Sequence, residues 1–245
     1  MAEQLYTIPV NDAFLSDCEC PLCLLYKDLE ENAIEFTMGP SYMEDDNREI
    51  TDRLGFCPDH IKMMYQRKNR LGLALMMNTH MNKVIKDLKT LSSKDKPKKK
   101  PLIGKKPLNP VTDYINNLES TCFVCQRIKP VFERYIDTIF HMYKKDPEFK
   151  EKFKKVKGFC TYHYGLLYDN ALSYLSQNEI NEFIPSLNEV YFNGMDRVNG
   201  DVSWFIDKYD YRNQNAPWKN SKDALPRGII KIDHTIVEEE NNLKK

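Results

Sequence analysis

The apolar positions of this chain fall at helical spacing over most of its length. From Pro58 to about Leu91, Ile61, Met64, Tyr65, Leu71, Leu75, Met81, Ile85 and Leu88 recur at intervals near 3.6 residues, which predicts one long helix. Its middle, "LGLALMM" at 71–77, is apolar on nearly every side, so the helix is expected at the centre of its half of the molecule. "YHYGLLYDNALSYL" (162–175) takes the same place further on. Other helices are predicted over 22–36, 111–119, 125–144, 147–155, 178–198 and 201–210. No long run alternates apolar and polar residues as a half-buried strand would. The expected fold class is all-α.

The pattern is interrupted at 94–107, "KDKPKKKPLIGKKP", where seven lysines and three prolines leave no apolar face to bury. That composition reads as a solvated linker. It divides the chain into an N-terminal helical half (1–93), the basic linker, a C-terminal helical half (108–212) and a tail (213–245). The two halves share landmarks in the same order. "PVND" at 9–12 is matched by "PVTD" at 110–113, "CPLC" at 20–23 by "CFVC" at 122–125, and "GFCPDH" at 55–60 by "GFCTYH" at 158–163. The second Cys of each CxxC and the Cys of each CxxH are separated by 33 and 34 residues respectively. An internal duplication explains this agreement.

The duplicated residues are metal-ligand types. A Cys-x-x-Cys turn places two sulfurs on one ion, and zinc takes four such donors in a tetrahedron. In "CPDH", Pro58 suits the first position of a helix, so Cys57 caps it and His60 is its third residue. Sulfur and imidazole then share one face, at the helix end whose dipole favours a thiolate. The predicted ligands are Cys20, Cys23, Cys57 and His60 in one half and Cys122, Cys125, Cys160 and His163 in the other. That makes two structural Zn²⁺ sites per chain, each stapling its own half. An exchange of ligand pairs between halves is the alternative; it requires pairing over longer range. Three thiolates and a neutral imidazole around a divalent ion carry a charge of −1 and leave no open position for substrate, so the ions are structural. A thioredoxin-like redox pair would need a buried strand before its CxxC, and "SDCE" is not one. Iron–sulfur ligation ordinarily takes four cysteines. Cys18 has Ser120 as its counterpart and falls outside the shared set. His80, His141 and His234 have no companion at ligand spacing.

Equal numbers of basic and acidic residues give zero formal net charge, so any electrostatic preference is local. "MAEQLYTIPVNDAF" lacks the basic start and apolar run of a secretion signal, and 71–77 is too short to span a bilayer, which predicts a cytoplasmic protein away from membranes. The C-terminal stretch 204–229 is rich in aromatic and basic residues. It reads as a strap over the core through Trp204, Tyr209, Tyr211 and Trp218, or as a patch offering Arg212, Lys222 and Arg227 to an anion. Within it, "KDAL" predicts a short helix that Pro226 ends.

Together "YTIPVNDAF", "CECPLC", "MGPSYMEDDNRE", "LGFCPDH", "RLGLALMMNTH" and "PWKNSKDALPR" resemble an uncharacterised bacterial family, common among anaerobic Firmicutes and known as a domain of unknown function. The likeness spans nearly the whole chain. It implies a cytoplasmic bacterial protein with paired Cys/His clusters and carries no established activity.

No nucleophile–base pair, paired catalytic carboxylates or glycine-rich phosphate cradle stands out. The expected role is therefore an interaction or adaptor module with a protein partner. Nucleic-acid binding through the linker, with Lys98, Lys99 and Lys100, is the weaker alternative, because the linker has no aromatic to stack on bases and "EEE" at 238–240 opposes it. A third reading is an enzyme with a site between the halves, built from 41–48 and 208–213.

Overall fold

A computed structural model describes residues 2–94 and 109–237. Nearly all of the predicted linker, and the acidic 238–240, lie outside the described residues. Among those described there are eleven α-helices and no strand, as expected for the all-α class. They are α1 (Ala2–Leu15), α2 (Pro21–Met38), α3 (Asp45–Leu54), α4 (Pro58–Gln66), α5 (Arg70–Lys94), α6 (Pro110–Glu119), α7 (Phe123–Lys145), α8 (Pro147–Lys155), α9 (Thr161–Tyr174), α10 (Gln177–Asp207) and α11 (Ala224–Asp233). Short 3₁₀ turns occupy Pro40–Met43 and Tyr211–Asn213. None of these helices is long and apolar enough to cross a membrane.

Several starts are written in the sequence. α2, α4, α6 and α8 begin on Pro21, Pro58, Pro110 and Pro147, where the missing N–H would have had no helical partner. Asn109 and Asp146 cap α6 and α8 by accepting from the N–H groups of Val111 and Glu148, each at 2.9 Å.

Four helix expectations are corrected. The long helix over 58–91 is two helices, because Arg67–Asn69 break it and Asn69 starts α5 afresh, its Oδ1 accepting from Gly72 N–H at 2.9 Å. The pair 178–198 and 201–210 is the single helix α10: the glycine at the expected break, Gly200, costs about 1 kcal/mol, too little to break a helix of 31 residues. Pro226 lies in the first turn of α11 and so helps begin the helix it was expected to end. α1 had no counterpart in the predicted helices, and Pro9 lies inside it.

The chain forms two compact units that do not follow the sequence division 1–93, 94–107, 108–212 and 213–245. Unit 1 is Met1–Asp28 with Val131–Lys245, and unit 2 is Leu29–Pro130. The division falls inside α2 and inside α7. The expected tail, 213–245, includes α11, a helix of unit 1 that packs on α9 and α10.

Unit 1 is organised around aromatic side chains. Phe14 meets Phe149 at 4.9 Å between ring centroids, Phe153 meets Phe159 at 5.2 Å, and Tyr143 meets Phe183 edge-on at 4.9 Å. Pairs of this kind contribute roughly 0.5–1.5 kcal/mol each beyond the area they bury. In unit 2, α3 packs on α5; the Thr79 hydroxyl donates to the Asp52 carboxylate, and His80 Nδ1 lies 2.8 Å from the Asp52 carbonyl. Leu73 and Met76 turn inward from α5. Leu71, Met81 and Ile85, expected in the core, are 68, 54 and 46% exposed. At 100° per residue these three fall on one side of α5 and Leu73 and Met76 on the other.

Candidate metal centres

The eight predicted ligands come together in two groups of four, but in exchanged pairs. Cys20, Cys23, Cys160 and His163 form one group, and Cys57, His60, Cys122 and Cys125 the other. The expectation of one site within each sequence half is overturned: each CxxC joins the CxxH of the other half. Proximity in sequence was the reason for preferring the local pairing, and it is a weak reason. Closing a loop over 137 positions, as Cys23 and Cys160 do, costs only ~1 kcal/mol more than closing one about four times shorter. Apparent binding energies of structural zinc are roughly ten times larger.

The first group lies wholly in unit 1, at two helix N-termini. The Cys20 carbonyl accepts from Leu24 N–H at 3.2 Å and so begins α2, with Cys23 in its first turn. Cys160 is the cap of α9, its sulfur accepting from His163 N–H at 3.3 Å. His163 Nδ1 lies 3.5, 3.3 and 3.2 Å from the sulfurs of Cys20, Cys23 and Cys160, and the last two sulfurs are 3.6 Å apart. The second group lies wholly in unit 2. Cys122 begins α7 and Cys57 caps α4, with Pro58 in first position as the sequence predicts. His60 Nδ1 is 3.1, 3.3 and 3.4 Å from the sulfurs of Cys57, Cys122 and Cys125.

These separations fit the edges of a coordination tetrahedron. Bonds of about 2.3 Å to sulfur and about 2.0 Å to nitrogen place neighbouring donors roughly 3.5–3.8 Å apart. Within each group all four donor atoms lie inside 4.8 Å of one another. Both groups can therefore hold a metal ion with three thiolates and one imidazole nitrogen.

The electrostatics suit anionic sulfur. Burial opposes ionisation of Cys20, yet hydrogen bonds from Cys160, Cys23 and His163 hold it well below the usual thiol range. The hydrogen bond with Cys160 pushes the Cys23 thiol up, and the one with Cys20 pushes Cys160 up to about 12. In the second group burial pulls His60 down, but its bonds to Cys122 and Glu30 outweigh that and raise it to about 10. Burial works against ionisation of Cys122, and the bond from His60 brings it down to about 6. The protons shared among these donors are the ones a divalent ion displaces.

The shared glycines of the GFC phrases have separate local reasons. Gly55 has φ +61°, and a side chain there would place Cβ 2.8 Å from His80 Nε2. Gly158 has φ +139°, and a Cβ would sit 2.4 Å from Lys231 Nζ. The Gly55 turn is tied to the start of α7 by Phe123 N–H donating to the Gly55 carbonyl at 3.0 Å and the Thr121 hydroxyl to the Leu54 carbonyl at 2.8 Å.

Some residues around the clusters carried no signal in the sequence. Glu30 holds His60 from behind, with Oε1 3.1 Å from Nε2, the carboxylate–imidazole arrangement that orients metal-bound histidines. Beside the first group, the buried Glu19 accepts from Arg197 at 3.0 and 2.5 Å and lies 3.2 Å from Lys231 Nζ, which also donates to the Glu19 carbonyl at 2.7 Å. Lys231 is 1% exposed and its charge reaches Cys20. It sets a positive charge against the −1 expected of a loaded cluster. Neither Glu30 nor Lys231 belongs to the ligand motifs, and no spacing rule connects them to a ligand. Glu19, next to Cys20 in "CEC", gave the one local hint.

The remaining candidates separate from the clusters. Cys18 is outside both; burial foremost pushes its thiol up to about 11. His234, expected without a companion, packs its ring at a tilt on Tyr162, 4.9 Å between centroids, and its carbonyl lies 3.9 Å from Cys23 Sγ. Arg212 and Arg227 are already engaged, the first with Asp210 and the second with Asp201 and Asp223. Tyr209 and Tyr211 stand exposed instead of strapping the core, while Trp204 donates to the Pro217 carbonyl at 3.0 Å. The loop they flank is ordered by Lys208, whose ammonium donates to the carbonyls of Asn213, Gln214 and Ala216 at 2.6–2.9 Å. Asp45 and Asp46 are a helix start, the first turn of α3.

Comparison with known proteins matches residues 1–239 to the model of DUF6062, described as a family of unknown function. Searches of curated proteins and of solved structures found no match.

Proposed function

The chain belongs to this family of unknown function, and for it we propose the role of a zinc-stabilised helical interaction module with a protein partner. The observation that carries this reading is the combination of two saturated Cys/His clusters with an apolar stripe left outward on α5. A cluster whose four positions are filled by protein donors has no place for substrate or an activated water, so its ion serves the fold. Leu71, Met81 and Ile85, with the half-buried Leu75 and Leu88 beside them, form a stripe suited to an amphipathic helix of another protein. Zinc is the ion that three thiolates and one imidazole in tetrahedral array suit best. The matching helix starts, CxxC on α2 and α7 and CxxH on α4 and α9, support an origin by internal duplication followed by exchange of partners. The cytoplasm fits, because reduced thiols are needed to hold the ion.

Elemental analysis of purified protein tests the first part. Two zinc ions per chain are expected; iron with thiolate charge-transfer absorption would overturn the metal assignment. For the second part, a partner captured by the parent chain should be lost with Leu71→Ser, Met81→Ser and Ile85→Ser combined. It should be kept with exposed lysines changed elsewhere. Equal capture by the stripe variant would refute the interaction reading.

A further inference from the structure

In unit 1, α1 and the last turn of α9 flank one face of α7 and leave a cavity of about 620 Å³. That is the size of pockets that take small molecules, roughly 300–1,000 Å³. The face is built by helical spacing: Arg134, Asp137, Thr138, His141, Lys144 and Lys145 fall at i, i+3, i+4, i+7, i+10 and i+11 and all line the cavity. Phe140 and Tyr174 lie stacked and parallel at 5.0 Å between centroids, and Tyr6 adds a third ring from α1.

The charges lining this cavity are unequal. Arg134, Lys144 and Lys145 share the lining with one carboxylate, Asp137; outside the lining, Lys144 also lies 3.9 Å from Glu179. Asp137 is already occupied, accepting the Tyr174 hydroxyl and lying 3.5 Å from Arg134. The hydrogen bond to Asp137 also raises the Tyr174 phenol to about 12, which keeps that ring neutral. The carbonyl end of a helix repels anions, but here Lys144 donates to the Tyr174 carbonyl at 3.2 Å and offsets that end of α9. Cationic rim and aromatic lining together select a ligand with a negative head and a flat apolar body.

We propose that this cavity binds a small organic anion carrying an aromatic ring, its ring against Tyr6 and Tyr174, the latter backed by the fully buried Phe140, and its carboxylate or phosphate at Lys144, Lys145 and Arg134. The site needs neither cluster's ion as a ligand nor the α5 stripe, so it stands or falls apart from the interaction reading.

The test titrates the full-length, metal-loaded protein with the fluorescent anion 8-anilinonaphthalene-1-sulfonate. Saturable binding of one dye per chain is expected. The uncharged analogue N-phenyl-1-naphthylamine should bind at least tenfold more weakly. Lys144→Gln with Lys145→Gln should weaken the dye at least tenfold, and Lys222→Gln should leave it unchanged. Because Lys144 also holds the end of α9, Lys145→Gln alone is the second variant; it should keep the parent's circular dichroism and weaken the dye at least threefold. Phenyl phosphate and benzoate then compete against the dye, and displacement by either supports the site and identifies its head group. Equal affinity of the two dyes, dye binding unchanged in Lys145→Gln, or displacement by neither competitor would overturn it.

Discussion

The two Cys/His groups have the same donors and the same helix-end construction, yet different surroundings. In the first, all four ligands are buried, the His163 ring packs against Phe132 and Tyr162 at 5.6 and 5.1 Å, and Glu19 with Lys231 and Arg197 lies alongside. In the second, Cys57 and Cys125 are partly open to solvent, and His60 is steadied by the Glu30 carboxylate. Identical ligands therefore do not imply identical lability. Access and the outer ring of partners decide how readily an ion leaves or a thiolate reacts.

The pairing of ligands gives the largest effect. Cys20→Ala combined with Cys160→Ala removes two donors from one group, so the chain should keep one zinc, in the other. Cys20→Ala combined with Cys57→Ala damages both groups and should leave none. Pairing within sequence halves would reverse the two outcomes, and metal analysis of the folded fraction separates them. Loss of a structural ion also removes folding energy on the order of 10 kcal/mol. Protease resistance should therefore fail in unit 1 alone for the first variant and in both units for the second.

Lys231 comes next. Replacing it by Met leaves Glu19 buried with one cation fewer and removes the ammonium that faces Cys20. Breaking such a buried pair costs roughly 3–5 kcal/mol when nothing else compensates. Arg197 remains in contact with Glu19, so the expected loss is about 2 kcal/mol, read as a lower urea midpoint. Metal release from the first group should quicken, with the second unaffected. An unchanged midpoint would show that Lys231 does not stabilise unit 1.

Exposure makes the third contrast. With a competing chelator in excess, zinc release should be biphasic, the faster phase at least tenfold quicker. Alkylation during that phase should label Cys57 and Cys125 first. A single phase, or first labelling at Cys20 and Cys23, would erase the distinction between the groups.

Much of this was legible in the sequence, and the reasons differ by residue. The eight donors could be read because the chemistry sits in short local phrases, and Cys57 as cap with His60 in the first turn follows from Pro58 alone. Their pairing could not be read, since chain separation weights it by only ~1 kcal/mol. α5 shows the same limit from another side. Its apolar residues are visible, but a helix apolar all round does not declare which face is covered, and here Leu73 and Met76 go inward while Met81 and Ile85 stay out. The break before α5 did carry a signal, Asn69 followed by Gly72, which the continuing apolar period masked. Lys231 offered none: an isolated lysine on α11 reads as surface until the fold brings it to Glu19.

The smallest predicted difference concerns Glu30. Its carboxylate accepts from the ring nitrogen that faces away from the cluster, fixing which nitrogen of His60 is left for the ion. Glu30→Gln keeps the shape but replaces an anionic acceptor with a neutral amide that can also present a donor to the ring. Outer-ring substitutions of this sort weaken metal binding by roughly 10- to 100-fold. A partly open group such as this one should fall near tenfold, or about 1.4 kcal/mol. Competition with a calibrated zinc indicator should show that weakening in the fast-releasing phase only. His163 has ring packing from Phe132 and Tyr162 where His60 has Glu30, so the slow phase has no stake in this carboxylate. If both phases shift together, Glu30 acts through the fold as a whole; if neither shifts, the ring is oriented by its three sulfurs alone.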